Sequence, residues 1–206
     1  ARDKCLAAGI FDKIIITSDD PFFRGLINSN EVEFLQRSIH LASDDATTDV
    51  VVDFLFEEFS SCESILWVNS VSPLQSIKDI KNCGLRLGDS DADCVMAVNT
   101  LYQHCTIENK PLNFNPNNPF EKTQDLEPIQ RYIYSCMGWK RETYVHHRNK
   151  GFKGLFPGRM ALVEASILAG MLIKYEEDFI VCSKIEEAIG FVPNSDVQRS
   201  IVTTHH

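Results

Sequence analysis

Residues 64–80 read SILWVNSVSPLQSIKDI. A short apolar run, SILWVN, gives way to a polar loop with Asn69, Ser72 and Pro73, and the chain then enters a segment of helical period. A continuous apolar run of this length, bounded by turn residues, fits a strand buried on both faces. Ser76 followed three residues later by Asp79 supplies a cap for the next helix, with Ile77, Ile80 and Leu87 on one side. The alternation extends in both directions. KIIITS (13–18) and DCVMAV (93–98) are further strand-like runs. Between the first two runs, ATTDVVVDFLFEEFSS (46–61) puts Val51, Phe54, Leu55 and Phe59 on one helical face, with Thr48 placed to cap it. This pattern predicts an α/β domain with helices on both faces of a mainly parallel sheet. Ile14 to Thr17, Ile65 to Val68 and Cys94 to Val98 are expected to be neighbouring strands.

Beyond Val98 the pattern loosens. NKPLNFNPNNPFEKTQD (109–125), rich in Asn and Pro, reads as a long loop of the kind that is functional or mobile. RYIYSCM (131–137) and RMALVE (159–164) read as strands, separated by a basic, Gly-containing excursion, HHRNKGFKGLFPG. YEEDFIVCSKIEEAIGF (175–191) reads as a closing helix with acidic residues in its first turn and Val181, Ile185, Ala188 and Ile189 facing inward.

With 206 residues and 44% apolar content, the chain suits a single domain over residues 1–206. A net charge of -9 and a pI near 5.1 argue against nucleic acid as a partner. No apolar run is long enough for a membrane span and the first residues lack a signal-peptide pattern, so a soluble, cytoplasmic protein without membrane partners is expected. Seven cysteines without a C-x-x-C pair point to reduced, mostly buried thiols rather than disulfides or zinc. His146 and His147 lack a visible third ligand. His205 and His206, at the very end, are set aside as tag-like.

Ligands of parallel sheets bind beyond the carboxyl ends of the strands. Polar clusters stand there after each of the three runs: TSDD (17–20), NSVSP (69–73) and NTLYQH (99–104). Taken singly, each is more often a turn. Taken together, GIFDKIIITSDD, FLQRSIHLASDDATT, ILWVNSVSPLQSIKDI, DADCVMAV, PLNFNPNNPFEKTQD and YEEDF resemble, in order and spacing, the CMP-sugar synthetases, most closely the acylneuraminate (CMP-sialic acid) cytidylyltransferases. The resemblance runs from about Ala7 to Ile180. It implies a Rossmann-like nucleotide-diphospho-sugar transferase fold, and an enzyme that joins a 2-keto acid sugar to CMP from CTP, with Mg2+ and release of pyrophosphate.

Residue by residue, the resemblance implies Arg37 as the active-site arginine, with Ser38 where the family has Pro. Its QPTSPLR loop is NSVSPLQ here, so Asn69 replaces a sugar-contacting Gln, Ser72 and Pro73 persist, and Gln75 replaces Arg. Gln124 of KTQD keeps a sugar-pocket Gln, with Thr123 where Arg would stand. The family's D-I-D-x-E-E-D-F, whose Asp pair holds Mg2+, reads MLIKYEEDF, with Leu172 and Lys174 in the two Asp positions. A methyl-rich chain and an ammonium are poor company for a hard cation, so no metal ligands are assigned. Lys174 is instead a candidate for direct contact with a phosphate or carboxylate. Glu176, Glu177 and Asp178 suit a helix start without any metal.

The family's first, central strand and its Gly- and Arg-rich phosphate loop have no counterpart among the 206 residues, so something must fill that strand's place. Two functions follow: a cytidylyltransferase making a CMP-activated acidic sugar, or a catalytically inactive homologue serving as a sugar- or nucleotide-binding or partner subunit. A homodimer is expected, with the excursion at 142–158 in the contact, because Phe152, Leu155 and Phe156 would be awkward on a monomer surface. Arg37, Asn69, Ser72 and Gln124 are expected to face one cleft.

Overall fold

The structure, a computed structural model, describes residues 1–27, 30–43 and 45–190. Strand β1 (Ile14–Ser18) follows a short helix α1 (Arg2–Ala8) and pairs in parallel with β2 (Val32–Gln36). Helix α2 (Thr48–Glu58) leads to β3 (Ser64–Val68), and α3 (Ile77–Gly88) to β4 (Cys94–Leu101). A small hairpin, β5 (Thr106–Ile107) and β6 (Lys110–Pro111), stands in the long connection between β4 and the twelve-residue β7 (Ile129–Lys140). Helix α4 (Arg141–Asn149), β8 (Met160–Glu164) and α5 (Glu176–Ile189) complete the described chain.

The α/β architecture is as the alternation predicts, with helices on both faces. Along β4, Val95 and Ala97 turn to a core shared with Cys5 and Ala8 of α1 and Ile80, Cys83 and Leu87 of α3. Cys94, Met96 and Val98 turn the other way, onto Val52 and Phe56 of α2 and Tyr144 of α4. This is the period-two division expected of a strand covered on both sides. Gly138 of β7 keeps the first core tight, since a Cβ there would lie 2.8 Å from Leu87 Cδ2 and 3.0 Å from Leu66 Cδ1.

The expected strand neighbours need correction. The main sheet runs β3-β7-β4-β8, so β7 separates β3 from β4, and β1 lies in a second sheet with β2. β3, β4 and β8 share one direction, while β7 runs antiparallel to both β3 and β4. An apolar run shows burial but not direction, and β7, fully buried from Ser135 to Trp139, takes a central place. The inward face of α2 is Val51, Val52, Leu55 and Phe56, so Phe54 and Phe59 give way to neighbours on the helix.

Two helical readings change as well. On α5 only Cys182 is buried; Val181 and Ile189 are 46% and 57% exposed, because no described element lies over that face of the helix. The excursion expected at a dimer contact is divided, with Tyr144 and Pro157 buried and residues 149–154 exposed. Tyr144 is buried, and Leu155 and Phe156 pack on its cluster, leaving Phe152 exposed and stacked on His147. His146 and His147 lie in the last turn of α4. Cys5, Cys83, Cys94, Cys136 and Cys182 are buried and all seven thiols are free, as expected. Burial pushes the thiols of Cys5 and Cys94 up to about 11. No described helix is long and apolar enough to cross a membrane.

Candidate functional site

The loop after β3 is built largely from its own polar groups. Asn69 Oδ1 accepts from Val71 N at 3.3 Å, an Asx turn, and its backbone N–H donates to Ser135 O at 2.8 Å. Ser72 is fully buried and its hydroxyl donates to Ala169 O at 2.5 Å. Gln75, 1% exposed, donates to Asn69 O at 2.9 Å and accepts from the Cys136 thiol. These bonds place Ser72 and Gln75 inside the protein, with their polar ends spent on the chain. Asn69 alone of the three is half-exposed.

A strap of residues 165–173 crosses the carboxyl ends of the main sheet. Ile173 N–H donates to Val71 O at 2.8 Å, and Asn99 Nδ2 donates to Ala165 O at 2.9 Å. Asp79 is the strongest tie. Its carboxylate accepts from Ser76 N and Oγ, both at 2.8 Å, closing the capping box legible in the sequence. It also accepts from Ser166 N at 2.9 Å and Ser166 Oγ at 2.7 Å. Burial alone would raise its pKa, but the bonds from Ser76 and Ser166 outweigh burial and hold it below the ordinary carboxylate value. Arg131, exposed near the start of β7, donates to Asn99 Oδ1 at 3.1 Å, and a Cβ at Gly170 would strike both groups. Asn99, Arg131 and the link from Asp79 to Ser166 escape a motif-based reading; the polar cluster at 99–104 was the available signal for Asn99.

Arg37 stands at the end of β2, its backbone N–H on Ser18 O at 2.9 Å. Its Nε is buried without a hydrogen-bond partner, and so is Thr17 Oγ1 near the end of the adjacent β1. Gln124 is exposed on a single 3-10 turn, Thr123–Asp125, and Lys174 is exposed before α5. Among the described residues no hydrogen bond joins Arg37, Asn69, Gln124 and Lys174, and the expected common cleft is carried forward as part of the proposal below. A depression of about 700 Å³ opens elsewhere, at the amino end of β3, between Cys62, Glu63, Lys140, Arg141 and His146.

No protein-family model matches the chain, and no curated protein matches it. Solved structures do. A 4-diphosphocytidyl-2C-methyl-D-erythritol synthase from Anaerococcus prevotii is similar at a TM-score of 0.62 and 13% identity, over 90% of this chain and 86% of that one. The 2-C-methyl-D-erythritol 4-phosphate cytidylyltransferase of Thermus thermophilus gives 0.52 and 15%, over 90% and 88%. A CMP:2-keto-3-deoxy-manno-octonic acid synthetase, solved in complex with CTP, gives 0.53 and 9%, over 85% and 81%. The chain has the fold of these cytidyl-transfer proteins. At such identities the likeness is one of architecture.

The Mg2+ that the sequence resemblance implies finds no fitting donors in that architecture. Leu172 and Lys174 offer no oxygen from their side chains, and no group of three His, Cys, Asp or Glu is placed to hold a metal among the described residues. Asp178, in the first turn of α5, accepts from Lys174 N at 2.9 Å and Tyr175 N at 3.0 Å. Those two backbone donors lower its pKa, and the residue acts as the cap of α5.

Proposed function

We propose that the chain binds a cytidine nucleotide at the carboxyl edge of its sheets, between the end of the β1–β2 pair and the loop after β3. The finer activity proposed is transfer of CMP from CTP to an acidic, sialic-acid-like 2-keto sugar. The observation that carries the binding reading is Arg37. Its buried, unpartnered Nε and, on the adjacent strand β1, the unpartnered Thr17 Oγ1 are two polar groups that ligand oxygens would satisfy. A guanidinium suits phosphate or carboxylate. Asn69, Gln124 and Lys174 are proposed to line the same cleft, while Ser72 and Gln75 hold its floor from inside. A homodimer with Phe152 at the contact belongs to the same proposal, and light scattering at micromolar concentration tests it.

A second reading, a nucleotide- or sugar-binding subunit without turnover, is favoured by Leu172 and Lys174 in place of metal-binding acids. One set of measurements separates the readings. Calorimetric titration is expected to show CTP binding in preference to ATP, with an affinity unchanged by EDTA. Arg37→Met is expected to weaken CTP binding at least about tenfold while leaving the thermal midpoint in place, since the lost group bonds to nothing in the described chain. Pyrophosphate release with CTP and a 2-keto acid sugar would establish transfer, and binding without release would establish the second reading. No CTP binding at millimolar nucleotide would overturn both.

A further inference from the structure

Where β4 ends and β7 begins, the chain is built around one guanidinium. Arg131 Nη2 donates to Asn99 Oδ1 at 3.1 Å. Asn99 is 2% exposed, and its own amide donates to Ala165 O at 2.9 Å and Ser166 O at 3.2 Å. Those two bonds fix which way the amide points, so its oxygen is turned to Arg131. The strap then passes close over the pair. A Cβ on Gly170 would lie 2.7 Å from Arg131 Nη2, 2.7 Å from Asn99 Oδ1 and 3.2 Å from Ile133 Cγ2. Gly170 is not among the glycines of positive φ, so the backbone conformation makes no demand for glycine there. The demand comes from the groups beneath it.

This oriented cation has no counter-charge. Among the described residues Arg131 makes no ion pair, and the bond to Asn99 occupies one of the guanidinium's several N–H donors. Glu164, at the end of β8, is engaged elsewhere, accepting from Thr100 N at 3.0 Å and from Thr100 Oγ1. Other well-held arginines are neutralised. Arg86 meets Asp89 and Asp91, Arg148 meets Asp49 and Asp53, and Arg159 meets Asp93. An exposed guanidinium adds little to stability by being held in one direction. A ligand that meets it gains, because the side chain's freedom is already lost before binding.

The strap also ties this guanidinium to the loop after β3. From Gly170, over Arg131, the chain runs to Ile173, whose N–H donates to Val71 O at 2.8 Å. Three residues of extended chain reach at most about 10 Å. Val71 is in turn held by Asn69 Oδ1. We infer that Arg131 binds the carboxylate of an acidic sugar lying along the strap toward Asn69, through the N–H donors that Asn99 leaves free. A guanidinium and a carboxylate match as a two-point pair, which an ester or a neutral sugar does not offer. The inference rests on the cytidylyl-transfer reading and names the residue that selects its acceptor. With Arg37 assigned to the nucleotide, the acidic group left for Arg131 is the sugar's.

Calorimetric titration with N-acetylneuraminic acid and 2-keto-3-deoxy-manno-octonic acid, each beside its methyl ester and each with and without CTP, tests this. At least one acid is expected to bind at least about tenfold more tightly than its ester, since esterification removes the charge and keeps the rest of the sugar. Arg131→Met is expected to bring the acid down to the affinity of the ester while leaving CTP affinity in place. Gly170→Ala keeps the charge but drives the flexible guanidinium off Asn99, and is expected to lower the preference for the acid in the same direction. A preference for the acid that survives Arg131→Met would overturn the inference. Weakened CTP binding with the acid unaffected would overturn it in favour of a nucleotide phosphate as the group that Arg131 meets. Binding of CTP but of neither acid would refute it and leave the nucleotide site standing, whereas failure of CTP as well would remove the cytidylyl-transfer reading on which it rests.

Discussion

Asp79→Ala is expected to lower the unfolding free energy by about 3 kcal/mol, the loss typical of removing a buried, multiply bonded carboxylate. The substitution strands the N–H and hydroxyl groups of both Ser76 and Ser166, four donors that the carboxylate now satisfies. It uncaps α3 and frees the strap at Ser166 in one step. Urea denaturation measures the loss, and a change below about 1 kcal/mol would mean that the strap is held by Asn99 and Ser72 without Asp79. The pH dependence has a definite sign. The folded-state pKa of Asp79 lies below its unfolded value, so its contribution is fully present above about pH 4 to 5 and lost as pH falls through the lower folded value. Asp79→Asn should therefore flatten the acid side of the stability curve while keeping part of the cap.

The contrast between the two partners of Asp79 shows what a sequence discloses. Ser76 lies three residues away, and a capping box is a local pattern with a local cause, so that bond was readable. Ser166 lies 87 residues away, and only the arrival of the strap over the sheet brings it there. Strand identity was readable for the same reason as the cap, since β1, β3, β4 and β8 are short apolar runs between turn residues. Strand order was not. The run from Arg131 to Met137 carries no mark of direction, and its antiparallel insertion between β3 and β4 depends on the length and path of the long connection before it.

The candidate site divides along the same line. A serine or glutamine in a polar loop reads alike whether it faces solvent or core, and Ser72 and Gln75 face core because Ala169 O, Asn69 O and the Cys136 thiol are there to meet them. Arg37 was readable as a candidate only through its motif. Its unpartnered Nε, the feature that now supports a ligand role, is a property of the folded chain. On α5 the helical period of Val181, Ile185 and Ile189 was real, but amphipathicity predicts a buried face only when another element lies against it.

Gly158→Ala is expected to cost about 3 to 4 kcal/mol, from two sources that add because both act at one point. Gly158 has φ +71, where any residue with a Cβ is strained by roughly 1 to 2 kcal/mol. The new Cβ would also lie 2.6 Å from Asp93 Oδ2, 2.8 Å from Asp93 Cβ and 2.8 Å from Thr143 Cγ2. Asp93 cannot retreat cheaply. Its carboxylate accepts from Arg159 N at 2.8 Å and Nε at 3.0 Å, with longer bonds from Arg159 Nη2 and Thr143 Oγ1, and these hold its pKa down at about 2, the side chain of Arg159 being the largest cause. Relative to an ordinary carboxylate, that depression favours the folded state at neutral pH. Because the folded pKa is the lower one, this stability is present above about pH 4 and disappears as pH falls from 4 toward 2. Displacing Asp93 forfeits it and loosens the start of β8 against β4, where Asp93 N–H meets Arg159 O at 2.8 Å. The expected result is therefore double: a lower denaturation midpoint at neutral pH, and an Asp93 carboxyl whose NMR titration moves up toward the ordinary range. A large loss of stability with the titration of Asp93 still near 2 would assign the whole cost to the backbone at Gly158 and leave the Asp93–Arg159 pair intact.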